Sequence, residues 1–104
     1  FVGLADLRGP DVAADRPPAV ATLAMEMEVG EALLIPPLVA HGFYAPEDLA
    51  LVYLVTNEYD GTDELGFAWD DPAAAITWPT TRPVLSERDQ RNHSLAEALT
   101  ASTR

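Results

Sequence analysis

Few side chains in this sequence can move a proton or hold an anion, and they are widely spaced. His41 and His93 are the two imidazoles, all six basic residues are arginine, and there is no cysteine. An imidazole is a suitable base near neutral pH. One imidazole does not make a metal site that needs three or four ligands, and thiolate sites and disulfides are excluded. His41 ends the run G-E-A-L-L-I-P-P-L-V-A-H from Gly30. Read alone, that run is a hairpin bounded by Gly and Pro, carrying either a working histidine or a hydrogen-bonded core histidine. Tyr53 alone reads as an ordinary strand aromatic. Asp89 alone reads as the third-position acid of a capping box begun by Ser86. Arg82 and Arg88 could meet a diphosphate, although solvated arginines are the default. Trp69 and Trp78 read as core or interface packing rather than sugar platforms. His93, in a polar stretch, reads as an exposed side chain.

The elements that must position these groups are mostly short strands. Phe1 to Leu7 is an apolar run broken by Gly9-Pro10. Pro17-Pro18 blocks a central ladder. Ala19 to Glu28 suits strand or helix, and strand is favoured because Gly30 and a second strand, Glu31 to Ile35, follow at once. Ala40 to Ala45 is a short strand with His41 and Phe43 on one face. Leu49 to Thr56, L-A-L-V-Y-L-V-T, is the strongest strand signal. It is apolar on both faces, so both faces should be covered. Trp69-Asp70-Asp71-Pro72 signals a turn, and Ile76 to Pro79 a short strand with a stop. Ser86 to Asp89 and Ser94 to Glu97 both match the Ser-x-x-acid pattern, the second opening a helix from Leu95 to Ala101. The expected class is all-β, a sandwich or barrel with a short C-terminal helix.

Composition narrows the partners. The chain has 104 residues, 48% of them hydrophobic, and a net charge of −11 from 17 acidic against 6 basic residues. This size and apolar content fit one globular domain over 1–104. An acidic chain without lysine lacks the clustered cations that displace counterions from nucleic acid, and it suits an anionic membrane surface no better. No apolar run reaches the roughly 18 residues of a bilayer span. With no signal-peptide pattern, the cytoplasm is the default location. About six strands are few for a closed barrel, and the chain opens on Phe1 inside an apolar run. Both features suggest a start in mid-domain, or completion by a partner.

Gly30, Pro36 and His41 resemble the second conserved motif of the cupin superfamily, with Leu38 in place of that motif's second glycine and Ala45 where an asparagine often follows. The remaining motifs are more specific. H-G-F at 41–43, V-Y-L-V-T at 52–56, Tyr59, E-L-G-F-A-W-D-D-P at 64–72, I-T-W-P at 76–79 and R-P-V-L-S-E-R-D at 82–89 keep their order and spacing. Together they resemble the C-terminal half of the dTDP-4-dehydrorhamnose 3,5-epimerase family, and Phe1 to Arg8 resembles that family's strand ending in Asp-Leu-Arg. The resemblance implies a cupin-type jelly roll, incomplete at the N-terminus. It also implies a metal-independent homodimer without cofactor, acting on a dTDP-linked 4-keto-6-deoxy sugar.

By the same resemblance Tyr53 is the general acid and Asp89 the aspartate paired with the catalytic histidine. His41 and Tyr59 line the substrate pocket; Arg88 is a further candidate substrate-binding residue from its own chemistry, as a partner for a diphosphate. The C4 carbonyl acidifies the C–H bonds at C3 and C5; a base takes a proton from one face and an acid returns one from the other. The family's base histidine, in an Arg-Gly-x-His segment, and its enolate-holding lysine lie upstream in the family and have no counterpart here. Leu54 stands where a lysine is frequent. Two expectations follow: an epimerase-type isomerase of deoxysugar biosynthesis, or a truncated, non-catalytic paralogue that binds a ligand or dimerises without turnover.

Overall fold

A computed structural model describes residues 1–8, 19–56 and 66–102. Its strands are β1 (Val2–Asp6), β2 (Ala21–Met25) and β3 (Val39–Phe43), followed by two short helices, α1 (Glu87–Gln90) and α2 (Leu95–Ser102). The strands form one antiparallel sheet in the order β2-β1-β3. Leu4 faces Leu23 on one side and His41 on the other, and Gly3 faces Ala24 and Gly42. Beyond the ladder, Phe1 donates to the Tyr44 carbonyl and Tyr44 N–H to that of Phe1, at 3.1 and 2.8 Å.

Period-two alternation divides this sheet into unlike faces. Gly3 and Ala5 are buried on one, where Ile76 and Trp78 lie against Gly3. The other carries Val2, Leu4, Leu23, Met25, His41 and Phe43. That face is open, with Leu23 and Phe43 both more than half exposed. At the end of β1, Arg8 grips Asp6 through Nε and Nη2, at 2.9 and 3.0 Å, and through its own backbone N–H at 2.9 Å. The guanidinium hydrogen bond, and after it the backbone one, pull the Asp6 carboxyl down to about 2.

The principal core is small and lies beside α2. Leu95, Leu99 and Ala74 form it, with Leu7, Val20, Phe67, Ala73 and Ile76 packed around. Leu95, Ala98 and Leu99 are buried together, as a helix stripe at i, i+3 and i+4 requires. The expected capping box is complete at α2. Glu97 N–H donates to Ser94 Oγ at 3.2 Å, and Ser94 N–H returns to Glu97 Oε2 at 2.9 Å. That Ser94 N–H is the main force lowering the Glu97 carboxyl from its ordinary range. At α1, Ser86 Oγ accepts from Asp89 N–H in the same way, at 3.2 Å.

Three expected strands are absent among the described residues. Glu31 to Ile35 forms no ladder. A turn at Gly30, with φ 88°, sends it past β1, whose two edges β2 and β3 already fill. Ile76 to Pro79 is likewise not a strand, because Trp78 N–H bonds back to the Ile76 carbonyl at 3.1 Å, a closure that extended backbone cannot make. The third and largest departure is Leu49 to Thr56, which pairs with no neighbour and is exposed throughout. Val52 and Leu54 are 85% and 95% exposed, so neither face is covered as expected. Propensity and apolar content are high there, but a strand is stabilised by cross-strand pairs, and no described residue supplies them.

Leu38, which occupies the glycine position of the motif, has φ 64°. The left-handed region costs a residue with a Cβ about 1–2 kcal/mol. Leu38 stays there because its carbonyl accepts from Leu7 N–H at 2.9 Å and the Val39 N–H closes onto the Pro36 carbonyl at 3.3 Å. Its side chain is more than half exposed and loses little burial if removed. Leu38→Gly is therefore expected to raise stability by about 0.5–1 kcal/mol, after subtracting glycine's extra unfolded-state entropy. Urea denaturation reads the gain as a higher midpoint at unchanged slope; a lower midpoint contradicts it.

Candidate active site

His41 sits in the middle of β3 with an exposed side chain on the open face of the sheet. Its register partner across β1 is Leu4, and Leu23 of β2 completes that row. Phe43 shares the face two residues along, as the alternation predicted. An imidazole among apolar side chains on an open sheet face can line a cavity wall. It is not the hydrogen-bonded core histidine of the alternative reading: among the described residues it is exposed and has no hydrogen-bond partner.

Tyr53 lies in the unpaired 49–56 segment and is 74% exposed. Asp89 is the third residue of α1, exposed, with Oδ1 accepting from Asn92 Nδ2 at 3.4 Å. Its backbone N–H is the one that Ser86 Oγ caps, but no bond from Ser86 N–H returns to its carboxylate, so only half of the capping box read from the sequence forms here. Arg88 precedes it in the same single turn and is exposed, with its carbonyl accepting from Arg91 N–H. Tyr59 lies outside the described residues. Among the described residues, no hydrogen bond or ion pair joins His41, Tyr53 and Asp89 to one another. They stand on three separate elements, and only Asp89 and Arg88 are neighbours.

Sequence reasoning missed two structural devices around these groups. Asp71, nearly buried, accepts from Ala73 N–H through Oδ1 and from Leu95 N–H through Oδ2, both at 2.8 Å. It ties the Asp70-Asp71-Pro72 turn to the first turn of α2, although its place in an acidic turn signalled only the turn. The second is the facing pair Gly3 and Gly42 under Trp78. The Trp78 indole N–H donates to the Trp69 carbonyl at 2.8 Å, and its ring meets Phe1 at 5.8 Å between centroids. Trp78 is thus a packing residue, as expected. A glycine inside a strand pattern was the available signal, since it marks a close approach of another group.

An open depression of about 300 Å³ borders Trp69, Asp70, Pro72, Ile76, Trp78 and Thr80. Trp78 contacts the Gly3 and Gly42 side of the sheet, so this hollow lies on the opposite face from His41. None of His41, Tyr53, Asp89 or Arg88 lines it. It is shallow, and the indole N–H at its wall is already bonded. Among the described residues, no three His, Asp or Glu side chains converge to hold a metal ion. No helix among them is long and apolar enough to cross a membrane.

The open-faced histidine in its Gly-Pro-His setting, the Ser-Glu-Arg-Asp turn of helix and the Trp-Pro segment occur here in one chain. A family model described as dTDP-4-dehydrorhamnose 3,5-epimerase matches residues 13–97. The chain belongs to that family. Relatives agree in name. A dTDP-4-dehydrorhamnose 3,5-epimerase of Sinorhizobium fredii is 41% identical over 75 residues, covering 70% of this chain and 38% of the relative. A dTDP-4-dehydrorhamnose 3-epimerase of Streptomyces niveus is 49% identical over 61 residues, 58% of this chain and 30% of its own length. The 3,5-epimerase of Escherichia coli K12 is 39% identical over 69 residues, 64% and 37% respectively. The chain thus spans less than two-fifths of each of these relatives. No solved structure matches it.

Proposed function

We propose that this chain is the C-terminal part, over 1–104, of a cupin-type jelly-roll epimerase. Its substrate is a dTDP-linked 4-keto-6-deoxyhexose, inverted at C3, C5 or both. The observation that carries the reading is the family match over residues 13–97, which contains His41, Tyr53, Tyr59, Arg88 and Asp89. Tyr53 delivers a proton to the ring, and Asp89 orients the base histidine. His41 and Tyr59 line the pocket, and Arg88 meets the diphosphate. The base itself and the donor that holds the enolate oxygen lie outside these 104 residues, because the chain has no lysine and neither histidine stands in the family's Arg-Gly-x-His setting. The jelly roll and the homodimer rest on the family alone.

The reaction needs both a base and an acid on opposite faces of the sugar, with the C4 carbonyl holding the charge between them. The complete protein, incubated in heavy water with a dTDP-4-keto-6-deoxyhexose, is expected to place deuterium at C3 or C5. The isotope pattern also reads out which centre is inverted, a point on which the relatives' names differ. Exchange no faster than in buffer would instead establish the non-catalytic reading.

A further inference from the structure

We propose that Trp78 is a positioning residue for His41, acting through the glycine pair beneath its indole. This rests on the reading that His41 lines the substrate pocket. Gly3 and Gly42 face each other across β1 and β3. Neither has the positive φ that would itself call for glycine. What they share is Trp78. A Cβ on Gly3 would stand 2.9 Å from Trp78 Cη2 and Cζ2, and one on Gly42 would stand 3.3 Å from Cη2. Real Cβ atoms essentially never come within the first distance, and the second forces a neighbour to give.

The indole has little freedom to give way. Its N–H is held by the Trp69 carbonyl at 2.8 Å, and its ring rests on Phe1. The strands must therefore adapt to the ring. The contact falls on Gly42, the residue directly after His41, so the force is applied one peptide from the imidazole and on the opposite face. Trp78 and the glycines thus set the height of the β1–β3 pair at the step from which His41 projects. The sequence V-A-H-G-F then has a physical reason. The glycine admits the indole on one side so that the histidine stands at a defined depth on the other.

The test compares Gly42→Ala, Trp78→Phe and the double variant in the complete protein. Two readouts are taken: kcat and KM, and the His41 ring-proton chemical shifts at one fixed pH, with His93 as the internal reference. Signals are assigned by their loss in His41→Gln and His93→Gln. Gly42→Ala is expected to shift the His41 signals and to lower kcat/KM about 10–100-fold, as sub-ångström misplacement does. Phe lacks the ring atoms that the new methyl meets, so the double variant should return the His41 signals toward wild type and recover much of the loss. Should Gly42→Ala not fold, a His41 shift in Trp78→Phe alone carries the proposal. Single variants that lower the melting temperature while His41 stays unmoved would overturn it, leaving Trp78 purely structural. If His41 moves as expected but the wild-type protein shows no turnover, the positioning stands and the epimerase reading falls.

Discussion

Tyr53→Phe is expected to leave deuterium exchange at the sugar C–H running while completed inversion falls by about 10²–10⁴-fold, the usual share of a positioned acid. The two readouts separate because the base and the acid act on opposite faces. Without the phenolic proton the enolate can only be reprotonated from the face that lost its proton, which gives exchange without inversion. Tyr53 is 74% exposed and, among the described residues, has no hydrogen-bond partner; phenylalanine keeps the ring, so the substitution removes only the hydroxyl. Unchanged melting with lost inversion supports the proton-donor role, and full turnover in the variant removes Tyr53 from it. A phenol in open water is not held against a carbon atom. The role therefore requires Leu49 to Thr56 to be paired and covered when the site is complete.

That requirement shows which parts of the structure local sequence could dictate. β1 and β2 fall within the expected segments, and β3 starts one residue ahead of its own, because the three pair with one another in these 104 residues. The C-terminal helix was legible to within a residue of its end, since a Ser-x-x-Glu box and an apolar stripe are local signals. His41 and Phe43 share a face for the same reason: alternation is local. Leu49 to Thr56 has the strongest β propensity and no ladder, because propensity cannot supply a neighbour. Ile76 to Pro79 failed differently. Its β-branched and aromatic residues suit a strand, but Trp78 is committed to the glycine pair and to the Trp69 carbonyl, contacts distant in sequence. The candidate site divides in the same way. That His41 shares a face with Phe43 could be read from alternation, and the Ser86 cap on the Asp89 N–H from spacing. Their assembly with Tyr53 could not, since it depends on how separate elements close upon one another.

Asp71→Ala is expected to destabilise the protein by about 2–4 kcal/mol, far more than an acidic residue in a turn signal suggests. Its carboxylate accepts two backbone N–H bonds at 2.8 Å, and hydrogen bonds to a charged group contribute about 1.5–3 kcal/mol each. The second bond is the consequential one. Leu95 is fully buried at the start of α2, so its N–H has no access to replacement water. Losing Asp71 leaves that donor orphaned at a helix N-terminus, where the first-turn N–H groups already lack intrahelical partners. It also releases Ala73 N–H and with it the turn that presents Ala74 and Ile76 to the core. Asp71→Asn is the informative contrast. One amide oxygen can still accept, but the other position becomes a donor facing an N–H, so the loss should be intermediate. Urea denaturation of the complete protein reads all three forms. If Asp71→Ala shifts the midpoint no more than a surface substitution does, then α2 is held by Leu95 and Leu99 packing alone, and the carboxylate bridge is incidental to the fold.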